Sequence, residues 1–243
     1  MTAGRTLTGV VHGEAKVGKT WLGDTTPAPR LILDAEGGNR FTPSPKVWWN
    51  PLQGPPPEPD GTWETCIVNV TSFQIIELTY QWLVSGQHPF VSCVWDHVTE
   101  IQKKGQNEIA GMNPLDQQDW GLLLIKMETM MRQYRDLTMH PQRPLESVIF
   151  LAATSVKDGK FRPHVQGQLT TTMPYLTDFI GYMFVQADAD GNAVRKLLVS
   201  PHVDSQFLVG DRTGRLPAIV DYPNVGQMLD TIYGPRQGQE ASA

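Results

Sequence analysis

The chain of 243 residues reads as an α/β protein: a mostly parallel sheet with helices on both faces and an antiparallel extension towards its C-terminal end. Three observations predict this. Short, continuously apolar runs alternate with segments of helical period through the first two thirds. The first of these runs leads straight into glycine-rich sequence, as a buried parallel strand does when it feeds a turn and a helix. In the last third the pattern changes to alternating runs joined by Asp188-Ala189-Asp190-Gly191-Asn192, a hairpin signal.

The elements follow in order. Leu7 to His12 is the first strand. A short helix is expected to start within Gly18 to Leu22, stopped by Pro27 and Pro29 before a second strand, Arg30 to Asp34. From Thr42 to Thr62 prolines crowd the sequence and apolar periodicity is lost, so this stretch is expected to be a long surface insertion. Its Trp48 and Trp49 either fold back over the core edge or dock on a neighbouring surface. Cys66 to Val70 is a third strand, Phe73 to Val84 a helix with apolar residues at 73, 75, 76, 78, 82 and 83, and Phe90 to Trp95 a fourth strand. A polar stretch, Lys103 to Gln118, precedes a long helix over Trp120 to Leu137 and a fully apolar fifth strand, Val148 to Ala153. Phe179 to Gln186 and Val194 to Val199 form the antiparallel extension, and Pro223 to Tyr233 a closing helix. Residues 1–233 are therefore read as one domain with an insertion at 42–62, and the polar residues 234–243 as a disordered tail.

Composition narrows the function. Hydrophobic residues at 40% and charged residues at 19% suit a folded globular chain rather than a disordered one. No apolar run approaches the roughly 20 residues that cross a bilayer, and the N-terminus has no secretory pattern; a cytoplasmic protein with no membrane partner is expected. Cys66 and Cys93 each sit in an apolar run without local metal-binding partners and read as buried thiols. A formal charge of −5 means that any DNA binding must come from local basic segments or from assembly.

Gly13-Glu14-Ala15-Lys16-Val17-Gly18-Lys19-Thr20 fits the Walker A pattern of a phosphate-binding loop, with Trp21 following it. The chemistry requires these residue types. Glycines let backbone amides turn inward around phosphate oxygens, and the helix that follows adds its N-terminal dipole. Lys19 is expected to bridge the β- and γ-phosphates of ATP, and the Thr20 hydroxyl to ligate Mg2+. A carboxylate at the end of a buried strand must hold the magnesium, and Asp96, closing Phe90-Val91-Ser92-Cys93-Val94-Trp95-Asp96, is that acid. His97 and Thr99 beside it are read as shaping the turn. Hydrolysis needs a group to orient water, and Glu36, in Leu31-Ile32-Leu33-Asp34-Ala35-Glu36-Gly37-Gly38, stands at the end of what is read as the strand neighbouring the phosphate loop.

These residues resemble the RecA-like P-loop ATPases, whose catalytic glutamate follows a similar apolar strand end reading Asp-Ala-Glu. The order Walker A, strand-end glutamate, Walker B, long helix, apolar strand is similar over Leu7 to Thr154. The chain also resembles the small phage recombination ATPases of the RecA-like branch of the Sak single-strand annealing group. That likeness rests on Glu14 to Thr20, Glu36-Gly37-Gly38, Asp119-Trp120-Gly121 and the run Asp211 to Pro217. The resemblance implies an ATPase acting on single-stranded DNA in recombination or annealing, as a homo-oligomeric ring or filament, with a single-strand binding protein or another replication factor as a further partner. Two departures stand out. Where RecA senses the γ-phosphate with a glutamine, this chain has Ala153-Thr154-Ser155, and because the first strand is read as beginning within a few residues of Met1, no polymerisation helix of the RecA type is expected before it.

In RecA-like proteins the loops after the fourth and fifth strands line the DNA path, here Lys103 to Gln118 and Ser155 to Gln168. The resemblance thus puts Lys103, Lys104, Lys157, Lys160, Arg162 and His164 near backbone phosphates, and Phe161 against a base; solvated lysines in loops are the equal alternative. Arg212 and Arg215, in a glycine-flanked loop, either reach a neighbour's γ-phosphate in trans or form structural salt bridges, and Lys196 is a weaker trans candidate. Two other functions fit the loop alone: a nucleotide kinase, for which no arginine-rich lid is evident although Arg132, Arg135 and Arg143 are present, and an ATP-switched binding module for a replication partner.

Overall fold

The computed structural model describes residues 4–201 and 206–236; the C-terminal part of the expected tail, 237–243, lies outside them. Among the described residues, eleven strands form the sheet. Its parallel core contains β1 (Leu7–Gly13), β2 (Arg30–Asp34), β3 (Lys46–Trp48), β4 (Thr65–Asn69), β5 (Ser92–Asp96), β6 (Ser147–Lys157) and β8 (Phe179–Ala187). Across the sheet these run β8-β1-β6-β5-β2-β4-β3, all parallel. β9 (Ala193–Leu198), β10 (Gly210–Asp211) and β11 (Ile219–Asp221) add the antiparallel extension beyond β8.

Both faces of this core are covered, and the alternation of side chains explains how. Leu31, Leu33, Cys93, Trp95, Val148 and Phe150 point to one face, where they meet α2 (Phe73–Val84), α3 (Val98–Ala110), α4 (Gln117–Asp136) and α5 (Leu169–Leu176). Ile32, Val94, Ile149 and Leu151 point to the other, against Leu22 of α1 (Lys19–Gly23) and Val225, Met228, Leu229 and Ile232 of α6 (Val225–Tyr233). A strand buried on both faces has no polar side, which is why these segments read as unbroken apolar runs. Cys66 and Cys93 are buried free thiols in this core, and burial pushes both pKa values up.

Several expectations are corrected. The stretch from Lys103 is not a loop: Val98 to Ala110 is helical, capped by His97, so Lys103 and Lys104 stand on α3. Its polarity hides it, because Val98 and Ile101 are the only large apolar side chains that it buries. The segment after the fifth strand is likewise no open loop. β6 continues to Lys157, turns through Asp158 and Gly159 at positive φ, and returns as β7 (Lys160–Pro163), paired antiparallel with it. α5 carries an internal proline, Pro174, which hides it in turn. Within the proline-rich insertion, β3 forms a parallel sheet edge on β4. The two tryptophans there divide: Trp49 is buried, its ring 6.1 Å from that of Phe90, while Trp48 is 57% exposed. Finally, β2 does not neighbour β1, because β6 and β5 lie between them.

Candidate ATP site

The phosphate loop joins β1 to α1. Lys16 and Gly18 both take positive φ, 64° and 108°, which turns successive backbone amides towards one concavity. Gly18 tolerates this conformation because it lacks a Cβ, and a Cβ there would stand 2.6 Å from Arg195 Nε. A Cβ on Gly13 would meet the Met183 carbonyl of β8 at 2.5 Å. The Lys19 ammonium is buried and donates to the carbonyls of Gly13 at 2.9 Å and Glu14 at 2.6 Å. Burial lowers its pKa, and the nearby carboxylates of Asp96, Glu36 and Glu14 oppose that shift.

Asp96 ends β5 and is 4% exposed. It accepts a hydrogen bond from Thr20 and one from the Asn39 carboxamide at 2.8 Å. Burial nevertheless raises its pKa to about 6, with Asp34 and Glu36 adding repulsion. A hydroxyl and a carboxylate held together offer the hard oxygens that Mg2+ requires, and the buried Asn39 Oδ1 beside them has no partner. The described residues contain no cluster of three or more histidine, cysteine or acidic side chains suited to a metal. Thr20 and Asp96 supply two such oxygens, and an ion held by them would take its remaining ligands from nucleotide phosphates and water.

Glu36 reaches the site although β2 lies three strands from β1. The Asp34 carboxylate accepts the backbone amides of Glu36, Gly37 and Asn39 at 3.1, 2.7 and 3.2 Å, folding the strand end into a tight turn. Glu36 is left half exposed, with Oε1 3.3 Å from His97 Nε2. Burial lowers the His97 pKa, Glu36 opposing and Lys19 reinforcing the shift. A cavity of about 620 Å³ brings together Lys19, Thr20, Glu36, Asp96, His97 and Lys103, with Ala15, Lys16, Gly18 and Trp21 on its loop side. Lys103 thus borders this cavity, ion-paired with Glu100 at 3.0 Å; Lys104 is half-buried on the same helix.

The residues that the sequence reading missed are Asn39 and Arg195. Asn39 is invisible because it sits in a glycine-flanked turn. Arg195 lies on β9, far along the chain from any motif, yet its guanidinium stands 5.3 Å from the centre of the half-exposed Trp21 ring. A second cavity, of about 270 Å³, shares Gly18, Trp21 and Arg195 with the first and extends to Tyr222, Asn224 and Gln227.

Other predicted positions fall elsewhere. Lys157 and Lys160 are exposed at the β6–β7 turn, while Arg162 is half-buried. Phe161 does not project outward: its ring packs at 4.8 Å on Phe207 and 5.9 Å on Tyr182. The hairpin is tied to the site, because the Thr99 hydroxyl donates to the His164 carbonyl at 2.7 Å and accepts the Ala153 amide at 3.2 Å. Arg212 donates to the Tyr175 carbonyl at 3.3 Å and Arg215 to that of Ile232. Both line a cleft with Thr6 and Asp178, at the end of β1 opposite the phosphate loop, so neither borders the cavity at that loop. Lys196 pairs with Asp221 at 2.8 Å. Arg132 and Arg135 pair with Glu128 and Asp136 and form no lid.

Residues 5–213 match the model of a family described as an AAA domain. The chain belongs to the AAA domain family. Membership of this AAA family supports ATP binding and hydrolysis at the phosphate loop; it does not single out the phage recombination branch. No curated protein matches the chain. Among solved structures it is similar to a type III secretion system ATPase of pathogenic bacteria, at 12% identity over 73% of this chain and 52% of that one, with a TM-score of 0.48. The chain spans about half the length of that ATPase. Among the described residues no helix is long and apolar enough to cross a membrane.

Proposed function

We propose that this chain hydrolyses Mg·ATP and couples turnover to single-stranded DNA, as a homo-oligomer in phage-type recombination or annealing. The observation that carries the catalytic part is the convergence of Lys19, Thr20, Asp96 and Glu36 on one cavity, although they come from α1, the end of β5 and the turn after β2. The loop amides and Lys19 hold the phosphates, and Glu36 accepts the proton of the attacking water. When bound through Thr20 and Asp96, Mg2+ supplies charge neutralisation at the phosphates. Trp21, with the second cavity beside it, receives the base and ribose.

The DNA part rests on the resemblance and on one connection. β6 passes the ATP cavity at Ala153 and ends at Lys157, so the strand that borders the nucleotide also carries the basic turn Lys157–Lys160. In an oligomer the weak phosphate contacts of each turn act together through effective concentration. The placement of Arg212 and Arg215, away from their own site, suits action on a neighbour. The test combines Lys157→Ala, Lys160→Ala and Arg162→Ala in one protein and follows ATPase rate and single-strand binding against salt. The log–log salt slope should fall by about 2, at ~0.7 per lost phosphate contact, and basal turnover should persist. An unchanged slope moves the DNA path elsewhere, and a parent protein that binds no DNA with ATP present rejects the recombination reading. A second reading, an ATP-switched module that docks a replication partner, is favoured by Trp48 and Leu52, 57% and 60% exposed on the insertion; retention of a single-strand binding protein that depends on Trp48 would select it.

A further inference from the structure

His97 stands where the β5 strand end meets α3, and its two ring nitrogens face different elements. Nδ1 accepts the backbone amide of Glu100 at 3.4 Å, capping α3. A nitrogen that accepts carries no hydrogen in the neutral ring, so the hydrogen resides on Nε2. That nitrogen lies 3.3 Å from Glu36 Oε1. The Glu36 carboxylate has no other ion-pair or hydrogen-bond partner among the described residues, and its side chain is 49% exposed. The His97 side chain is 11% exposed and its ring is fixed by the cap. A half-exposed carboxylate on a turn thus meets a buried donor held at the N-terminus of α3.

We propose that His97 is the positioning residue for Glu36: its Nε2–H holds one carboxylate oxygen and leaves the other aimed at the attacking water. This rests on the reading of Glu36 as the base. The contact is longer than a good N–H···O hydrogen bond, as catalytic contacts are before ligand closes the site, and a small shift of the Glu36 side chain completes it. Without the donor, the carboxylate samples orientations in which neither oxygen faces the water. The proton still passes from water to Glu36 as the oxygen attacks the γ-phosphorus and ADP leaves; His97 exchanges no proton in the step.

The experiment compares His97→Asn, His97→Gln and Glu36→Gln in the full chain, measuring ATP affinity by titration and steady-state kcat and KM. Asparagine preserves a capping acceptor for α3 but is too short to reach Glu36, so it separates the tether from the cap. Expected for His97→Asn is a kcat lower by about ten- to a hundredfold, the range that a misplaced reacting group costs, with ATP affinity unchanged within about twofold. His97→Gln, whose longer amide reaches towards Glu36, should recover part of that kcat. Normal or raised kcat in His97→Asn overturns the proposal, and so does a glutamine variant no better than asparagine. Glu36→Gln separates the two ideas: if it binds ATP and hydrolyses it normally, the base assignment itself has failed; if it is inactive while His97→Asn is not, only the positioning role has.

Discussion

Replacing Asp96 with asparagine should stabilise the empty protein while disabling it. The carboxylate is 4% exposed, and its pKa rises from 3.8 to about 6 because burial disfavours its charge. A raised carboxyl pKa means that the fold prefers the protonated form, so the favourable contribution exists at low pH and is lost as pH climbs from about 4 through about 6. The difference amounts to about 3 kcal/mol at ~1.4 kcal/mol per pH unit, an upper bound because a buried amide also needs partners. Those partners exist. Thr20 can still donate to the remaining oxygen, and the unpartnered Asn39 oxygen can accept the new N–H once that carboxamide turns over. A gain of about 1–3 kcal/mol is expected at pH 8, with a melting temperature higher by ~2–4 °C per kcal/mol for a chain of this size. At pH 4 the advantage should vanish. The assay is urea denaturation of both proteins in chelator at pH 4, 6 and 8, then at pH 8 with Mg2+ and ATP, where the parent should gain more stability than the variant, the excess coming through the metal. Equal stability at pH 8 would refute the reasoning, since it would mean that the buried carboxylate carries no net penalty.

Lys19→Ala should weaken ATP binding by at least tenfold, because the loop loses its buried ammonium; an unchanged Kd would remove the phosphate-loop assignment. Arg195→Ala should weaken ATP several-fold but leave tripolyphosphate binding unchanged, since Arg195 adjoins Trp21 and the second cavity; equal losses for both ligands would place the guanidinium on the phosphates instead. Gly13→Ala should destabilise the fold by about 1–3 kcal/mol, the range for overpacking, because its Cβ would strike the Met183 carbonyl; a denaturation midpoint equal to the parent's would show that β8 yields.

The parts of the fold legible in the sequence are those where one physical rule acts alone. Arg30 to Asp34 is buried on both faces and reads as a strand, and Phe73 to Val84 shows a helical period and is found as a helix with those bounds. α3 and β7 were not legible because tertiary contacts, not local apolar pattern, decide them. α3 buries Gln102, whose carboxamide clasps the backbone of Gln166, and β7 is held by pairing with an overlong β6. The same distinction runs through the site. The candidate phosphate loop is local in sequence and legible there, and the two strand-end acids that the sequence singles out line the same cavity. Arg195, 177 positions beyond Gly18, meets the loop only because β9 folds beside β8, and no local signal could have placed it.

The fold of Lys19 onto its own loop carries a kinetic consequence. With the ammonium bonded to two carbonyls of residues 13 and 14, the empty loop contains an internal competitor for its own ligand. An incoming anion must displace both bonds before it gains the lysine. A single phosphate replaces them with little surplus, whereas a polyphosphate keeps contact with the neighbouring amides while the exchange proceeds. On the proposed reading as an ATP site, this geometry predicts weaker binding of inorganic phosphate and nucleoside monophosphates than of polyphosphates, and a two-step capture in which docking precedes the release of the latch.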